Sequence, residues 1–153
     1  MYLYLVQHGL SKSKEEDPQR GITDEGRIET AKTGNALAML TPKIHEIWHS
    51  EKKRSCETAE ILSTQLGLTA ELVERKDLNP NDPVQSVMVE LDKIDKNTMI
   101  VGHLPHLSRL LSKLLQIEMD REILQFQNSG IVCLKKEGTS WKLLWSVPPE
   151  ILL

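Results

Sequence analysis

Short apolar runs alternate with segments of helical periodicity along most of this chain. The first run, residues 2–6, is rich in aromatic and aliphatic side chains and leads to Gly9, a pattern typical of a buried strand. The runs that predict strands are 2–6, 44–50, 71–74 and 98–101, with a terminal hairpin formed by 131–134 and 142–147. Apolar residues at helical spacing predict helices over about 23–40, 52–66, 84–94 and 106–117.

This alternation predicts the α/β class, because a strand–helix–strand order buries a largely parallel sheet between two layers of helices. We therefore expect a three-layer α/β/α sandwich with a mostly parallel mixed sheet and an antiparallel C-terminal hairpin. Residues 1–153 show no internal repeat, low-complexity tract or linker, which predicts a single domain.

The same pattern predicts which side chains face the core. The helix after the first polar loop is expected to be capped by Thr23 and to place Ile28, Ala31, Leu37 and Leu40 on its inner face. Trp141 and Trp145 are four residues apart on the last predicted strand, so both are expected on one face of the sheet.

Composition narrows the classes of protein that this fold can serve. The chain has 19 basic and 22 acidic side chains, and its net charge of −3 argues against general nucleic-acid binding. Hydrophobic residues make up 39% and charged residues 27%, as in globular proteins and unlike disordered chains. No apolar run approaches the roughly 18 residues that cross a bilayer, and the first residues lack the pattern of a signal peptide. We therefore expect a cytoplasmic protein without membrane association, in which Cys56 and Cys133 are reduced thiols.

Two histidines stand at the carboxyl ends of predicted strands. His8 precedes Gly9, and His103 follows Gly102. Ligands of open α/β sheets bind at this edge, and a glycine lets the backbone approach a ligand closely. A lone histidine is more often structural, but two at matching strand ends favour a functional site.

A third strand end adds positive charge. The string from Ser50 to Thr58 runs from a strand into a helix and carries Arg54 in the first turn. Free N–H groups and the positive end of the helix dipole favour anions there, and a guanidinium can hold two phosphate oxygens. Taken alone, Lys52, Lys53 and Arg54 are also typical of a solvated basic turn.

Four motifs, taken in order, resemble those of the histidine phosphatase superfamily, whose fold is phosphoglycerate mutase-like. They are Gln7-His8-Gly9, Arg20-Gly21-Ile22-Thr23-Asp24-Glu25-Gly26, Ser50-x-x-x-Arg54-x-x-x-Thr58 and Val101-Gly102-His103-Leu104-Pro105. The resemblance runs from Leu3 to about Val132 and is greatest to the small phosphohistidine phosphatases of the SixA type. Each motif alone is weak, but four in the expected order and spacing are specific.

The resemblance implies a phosphatase that needs no metal ion and no cofactor, with His8 as the nucleophile. His103 and Arg54 would be the other catalytic residues and would hold phosphate oxygens. The residues that would also bind the phosphate are Gln7, Gly9, Arg20 and Leu104, the last through its backbone N–H. Physical chemistry agrees, since phosphoryl transfer depends on positioning and positive charge and a neutral imidazole is a competent nucleophile near pH 7.

Position 7 departs from the superfamily pattern, in which an arginine precedes the first histidine. Gln7 can donate a hydrogen bond but brings no charge, and loss of one transition-state donor costs about 10²- to 10³-fold in rate. Arg20, Lys12, Lys14 or Lys53 could compensate, and Arg20 is preferred because its motif matches the superfamily. Alternatively, Gln7 marks a phosphate- or phosphoprotein-binding module with little or no turnover.

A phosphorylated histidine on another protein is the predicted substrate, and inorganic phosphate is the product. A chain of this length has little room for a closed lid, and imidazole, with an unperturbed pKa of about 6.5, leaves readily once protonated. Asp77 and Asp82 are the candidates for a general acid, although turn chemistry explains both. The alternative enzyme is a general small-molecule phosphomonoesterase that uses the same pocket.

Four further residues with reactive side chains are not assigned to the site. His106 is expected at a helix start near the pocket rim, and His45 and His49 are expected at the surface. Cys56 is expected to be a small buried side chain.

Overall fold

The computed structural model describes residues 1–67, 69–118 and 121–152, which form six strands and four α-helices. The strands are β1 (Tyr2–Gln7), β2 (Glu46–Ser50), β3 (Glu71–Arg75), β4 (Thr98–Gly102), β5 (Ile131–Glu137) and β6 (Ser140–Val147). The helices are α1 (Asp24–Ala38), α2 (Lys53–Leu66), α3 (Gln85–Lys93) and α4 (His106–Leu114), and a short 3₁₀ helix covers Pro149–Ile151. Every predicted helix and strand is present, and the ends differ from prediction by only a few residues.

The six strands form one sheet in the order β3-β2-β4-β1-β5-β6. The first four strands in this order are parallel, while β5 and β6 form an antiparallel hairpin beside β1. On one face Leu37 of α1 and Leu62 of α2 are buried, and on the other Leu91 of α3 and Leu110 of α4. The predicted three-layer sandwich with its antiparallel hairpin is therefore confirmed. None of the helices in the described ranges has the length and apolar character needed to cross a bilayer.

Helix α1 begins as predicted and buries the predicted Leu37, but the rest of its inner face differs from prediction. Thr23 is the N-cap, and its side chain accepts a hydrogen bond from the Gly26 N–H. The prediction that Ile28 and Leu40 are buried is wrong, since they are 59% and 61% exposed. The inner face is built of small residues: a Cβ on Gly34 would lie 2.7 Å from Gln65 Cβ of α2. Close packing of the two helices, and not a stripe of large apolar side chains, therefore determines how α1 is oriented.

The two tryptophans of β6 lie on opposite faces of the sheet, so the prediction that they share one face is wrong. The pairing register shifts: Leu143 pairs with Leu134, but Trp145 pairs with Cys133, so Leu144 is an extra residue. A β-bulge of this kind reverses the alternation of side chains beyond it. Trp141 consequently packs in the core beneath α3 and α4, whereas Trp145 packs on the other face.

The centre of the sheet positions the candidate site. β1 and β4 are neighbouring parallel strands, with Gln7 paired to Gly102 at their carboxyl ends. The His8 N–H continues this pairing by donating to the Gly102 carbonyl at 3.1 Å. The residues that follow the two strands, His8 and His103, are therefore held side by side.

Candidate active site

His8 and His103 meet at the carboxyl edge of the sheet, as predicted. Their ring centroids are 5.0 Å apart, with an angle of 51° between the ring planes. His103 is almost completely buried, with 1% of its surface exposed, while His8 is half-buried. His8 is therefore the more accessible of the two rings.

The backbone fixes the protonation pattern of the His8 ring. Its Nδ1 atom lies 2.8 Å from the Gly9 carbonyl oxygen, which can only accept a hydrogen bond. Nδ1 of the neutral ring must therefore carry the hydrogen, and Nε2 keeps a free lone pair. The ring is thus prepared to react at Nε2.

Gly9 positions His8 through contacts on both sides of its backbone. Gly9 was predicted to bind phosphate, but its N–H donates to Thr58 Oγ1 at 2.9 Å. A Cβ at this position would lie 2.9 Å from Thr30 Oγ1, so only glycine fits between these neighbours. The Thr58 hydroxyl in turn donates to the Arg54 carbonyl at 2.7 Å, which ties the first motif to the start of α2.

His103 is oriented by a chain of serine hydroxyls. Its Nε2 lies 2.6 Å from Ser50 Oγ, and Ser50 Oγ also accepts the Lys52 N–H at 3.3 Å. The hydroxyl hydrogen of Ser50 can therefore be donated to Nε2, which leaves the hydrogen of neutral His103 on Nδ1. Ser55 supports Ser50 by accepting its N–H at 3.0 Å and donating to the Val101 carbonyl at 2.8 Å. Nδ1 of His103 is buried and has no partner among the described residues.

Arg54 provides a second buried donor without a partner. It lies in the first turn of α2, where the N-cap Lys52 forms no side-chain hydrogen bond. The Nε atom of Arg54 is buried and has no partner in the part of the chain that the structure describes. Burial, and after it the charge of Arg20, lowers the pKa of Arg54. An anion between the two guanidiniums would satisfy the donor and relieve their repulsion.

Arg20 is the predicted compensating cation that the structure brings towards His8. It has a positive φ of 52°, and its side chain donates to the Lys12 carbonyl at 3.2 Å and to Ser11 Oγ at 3.1 Å. It lines a cleft of about 800 Å³ together with Arg54. Of the alternatives, Lys53 pairs with Asp17 at 3.4 Å, and Lys14 is exposed in the same cleft.

The loop that carries Arg20 is held against α1 and α2. The Thr23 N–H donates to the Leu10 carbonyl at 2.8 Å, and the Ile22 N–H donates to Glu57 Oε1 at 3.2 Å. A Cβ on Gly26 would lie 2.5 Å from the Leu10 carbonyl oxygen. The glycine at the end of the second motif is therefore required for the loop to approach the helix this closely.

Gln7 and Leu104, two further predicted phosphate ligands, are placed differently. The Gln7 side chain lines a separate cavity, and its Oε1 is buried without a partner among the described residues. Alternation along β1 explains this placement, since residue 7 faces away from residue 8. The half-buried side chain of Leu104 packs on the core beneath α3 and α4, while its backbone lies between His103 and the start of α4.

Burial controls the charge of both candidate histidines. It lowers the pKa of His8 to about 4, opposed by the Gly9 hydrogen bond and assisted by the charges of Arg54 and Arg20. It lowers the pKa of His103 to about 3, assisted by His8 and Arg54. Both rings are therefore neutral at pH 7, one as a nucleophile and one as a donor.

We expect an NMR titration of the His8 ring in the free protein to give a pKa near 4 and not near 6.5. Because a nearby positive charge disfavours imidazolium, Arg20→Gln should raise this pKa, whereas Lys14→Gln, an exposed change in the same cleft, should move it less. Circular dichroism at each pH would verify that the protein stays folded. A wild-type pKa near 6.5 would contradict the burial that the structure assigns to this ring.

The two candidate general acids, Asp77 and Asp82, already accept hydrogen bonds from other residues. Asp77 accepts two hydrogen bonds from Arg75, at 2.8 and 2.7 Å, and a third from Ser86 at 2.8 Å. The Arg75 hydrogen bond in particular lowers the pKa of Asp77, which keeps it ionised. Asp82 accepts the Asn79 N–H at 2.9 Å, as a turn residue does.

Three side chains near the site differ from expectation. His106, expected near the rim, is fully buried, and neither ring nitrogen has a partner among the described residues. His49, expected at the surface, is buried with Nδ1 2.9 Å from the Ser50 carbonyl. Cys56 is only partly buried, and burial followed by the charge of Glu60 raises the pKa of its thiol to about 11.

Sequence reasoning missed two residues that position His8 and His103. Ser50 was part of a recognised motif, and its place beside a strand end was the available signal. Asn128 donates from Nδ2 to the His8 carbonyl at 2.9 Å across 120 positions of sequence, and nothing in its local sequence indicated this contact.

The assembled geometry can bind a tetrahedral anion in front of a nucleophilic nitrogen. His8 Nε2 has a free lone pair, and neither His103 Nδ1 nor Arg54 Nε has a hydrogen-bond partner among the described residues. Within residues 1–67, 69–118 and 121–152, no three His, Cys, Asp or Glu side chains cluster as metal ligands do.

Comparison with known sequences identifies a matching family. A model described as the histidine phosphatase superfamily (branch 1) matches residues 3–79. This range holds the first three motifs, with His8, Arg20 and Arg54. No curated protein sequence matches the chain.

Solved structures share the fold over almost the whole chain. The protein histidine phosphatase SixA complexed with tungstate has a TM-score of 0.87 and 22% identity, covering 99% of each chain. A protein from Agrobacterium tumefaciens proposed to be the phosphohistidine phosphatase SixA has a TM-score of 0.80 and 18% identity, covering 97% of each chain. Phosphoglycerate mutase from Plasmodium falciparum has a TM-score of 0.71 and 22% identity, covering 94% of this chain and 88% of its own. At these identities the similarity is one of fold.

Proposed function

The chain belongs to the histidine phosphatase superfamily, and from that premise we propose that this phosphatase hydrolyses phosphohistidine on another protein. The observation that carries the proposal is the free Nε2 of a neutral His8 beside two buried donors, His103 Nδ1 and Arg54 Nε, that lack partners among the described residues. These atoms supply a nucleophile and a binding site for phosphate oxygens without a metal ion.

The proposed reaction has two steps. In the first, His8 Nε2 attacks phosphorus in line with the P–N bond of the substrate; the new Nε2–P bond forms as the P–N bond breaks. The departing imidazole nitrogen takes a proton from solvent. In the second, water attacks phosphorus, the Nε2–P bond breaks, and inorganic phosphate leaves as the water releases a proton to solvent. His103 and Arg54 hold the phosphoryl oxygens in both steps.

The nature of the leaving group favours phosphohistidine over a phosphate ester. An alkoxide needs a general acid, and a positioned acid contributes about 10²- to 10⁴-fold to such a step. Asp77, which would be the candidate, is held ionised by Arg75. Imidazole leaves readily because solvent can protonate it at neutral pH.

A phosphorylated protein also suits the shape of the cleft. The cleft beside Arg54 has a volume of about 800 Å³ and is lined partly by exposed side chains such as Lys14 and Glu60. A phosphorylated side chain presented on a protein surface can enter such a site without a lid. The same feature disfavours a mutase, which must exclude water from its intermediate.

A substrate panel tests the proposal directly. Steady-state hydrolysis of a phosphohistidine protein should exceed that of phosphoserine and phosphotyrosine peptides by about 10²-fold or more in kcat/KM, the contribution of the absent acid. Equal rates on esters would instead support the general phosphomonoesterase. Saturable binding of the phosphoprotein with no turnover of any substrate would support the binding module suggested by Gln7.

Gln7→Arg tests the departure at position 7. Because the Gln7 side chain faces away from His8 and lines a separate cavity, an arginine at this position would not reach the phosphate in this geometry. We therefore expect kcat/KM for a phosphohistidine protein to change by less than about twofold, well below the contribution of one transition-state donor. Gln19→Arg is the matched control, since it adds the same charge at an exposed position of the cleft. A rise of about tenfold or more in Gln7→Arg alone would contradict this placement, and would show that residue 7 turns towards the phosphate.

A further inference from the structure

A second cavity adjoins the candidate active site at the end of β1. Its volume is about 390 Å³, and Gln7 and Asn128 form part of its wall. Asn128 also pairs with Gln7 through a β-bridge and donates to the His8 carbonyl. Residues of the cavity wall therefore also hold the backbone of His8 in place. The cavity is nevertheless distinct from the cleft that Arg20 and Arg54 line.

Three amide side chains belong to residues of the cavity wall: Gln7, Gln127 and Asn128. Asn128 uses Nδ2 to donate to His8, and Gln127 uses Nε2 to donate to Glu150 Oε1 at 3.2 Å. Their carbonyl oxygens remain as the uncommitted groups. Gln7 Oε1 is buried and has no partner among the described residues, and a buried acceptor left without a donor is costly.

The charges around the cavity have one sign. Glu29 and Glu150 contribute carboxylates, and the cavity wall contains no lysine or arginine among the described residues. Neither carboxylate takes part in an ion pair within the ranges described. A cation would therefore satisfy the carbonyl oxygens and the carboxylates together.

The remaining wall is apolar and suits an alkyl stem. Leu10, Phe126 and Pro149 complete the lining, and Phe126 is only 6% exposed. Long basic side chains bury their methylene groups against apolar surface while their charged ends meet polar partners. Arginine fits better than lysine, because its planar guanidinium has five N–H donors that can reach several separate oxygens.

We propose that this cavity is a recognition subsite for a basic side chain, preferably arginine, that the substrate protein carries near its phosphorylated histidine. The inference rests on the proposed function and deepens it. The phosphoryl group enters the site at His8, and the neighbouring arginine enters the cavity between Gln7, Glu29 and Glu150. The enzyme therefore recognises a phosphohistidine in a basic context.

Paired peptides test the subsite. Phosphohistidine peptides with arginine at flanking positions are compared with peptides that carry citrulline, its neutral isostere, at the same positions. We expect wild-type KM to be about tenfold lower for the best arginine peptide, with kcat little changed, as for one partly exposed charge-assisted interaction. Glu29→Gln combined with Glu150→Gln should remove this preference.

Glu25→Gln is the matched control, because it makes the same change at an exposed position of α1 outside the cavity. It should keep the arginine preference. The subsite proposal is overturned if wild type treats the two peptides alike, or if the double variant keeps the preference.

A binding experiment separates failure of the subsite from failure of the proposed function. Titration with Nα-acetyl-arginine methylamide, followed by the side-chain amide NMR signals of Gln7, Gln127 and Asn128, needs no turnover. Saturable shifts that the citrulline analogue does not produce would support the subsite even if no phosphohistidine were hydrolysed. If no such shifts occur, the subsite is refuted. The proposed phosphatase activity is then still tested independently by the panel of phosphorylated substrates.

Discussion

His8→Ala is expected to lower the turnover of a phosphohistidine substrate by about 10⁴-fold or more, since removal of a covalent nucleophile removes the reaction path itself. His8 is the half-buried ring whose Nε2 keeps a free lone pair. Wild-type protein mixed briefly with a ³²P-labelled phosphohistidine donor should carry acid-labile label, and peptide mapping should place it on His8. The variant should carry none.

His45→Ala is the control for this experiment, because His45 is an exposed histidine immediately before β2 on the same chain. It should retain wild-type turnover and labelling. Wild-type turnover by His8→Ala would rule out both enzyme proposals. Unlabelled wild-type protein that still binds phosphoprotein would support the binding module.

Arg54→Ala is expected to have the second-largest effect, a loss of about 10²- to 10³-fold in kcat/KM, the usual contribution of one transition-state donor. The buried Nε has no partner among the described residues, so its removal disrupts no internal hydrogen bond of that atom. Arg54→Lys should recover only part of the activity, since lysine keeps the charge but lacks Nε and the planar fork.

Arg109→Lys is the matched control for the exchange of arginine for lysine, at an exposed position of α4. Its kcat/KM should remain at the wild-type value. Full activity in Arg54→Lys would show that charge alone matters at position 54. Full activity in Arg54→Ala would remove Arg54 from the mechanism and shift the phosphate-binding role to Arg20.

The fold was predictable wherever periodicity reports burial directly. Residues 3–6 of β1 and 99–101 of β4 are buried and apolar because both faces of the central sheet are covered, and this produces uninterrupted runs in the sequence. The buried face of α1 was not predictable by the same rule, since Thr30, Thr33 and Gly34 are too small or polar to register as core. The bulge at Leu144 has no local signature, so the two faces of β6 could not be assigned.

The candidate site was likewise predictable from the sequence only in part. The juxtaposition of His8 and His103 followed from topology, because adjacent parallel strands end at one edge. The direction of the Gln7 side chain depends on alternation at the last residue of β1, which becomes certain only when the strand end is known. Asn128 could not be found because its partner is 120 residues away. The chemical roles of these residues stay predictions until the variants are measured.

The sheet order also has a consequence for the way the chain folds. β1 leaves the ribosome first, yet both of its neighbours come late: Leu3 pairs with Thr98, and Tyr2 pairs with Lys135. At about 5–20 residues per second of synthesis, this apolar strand waits several seconds with both edges unpaired. Non-local pairing of this kind slows folding and exposes strand edges to aggregation. The strand order therefore delays completion of the central sheet until β5 has been synthesised.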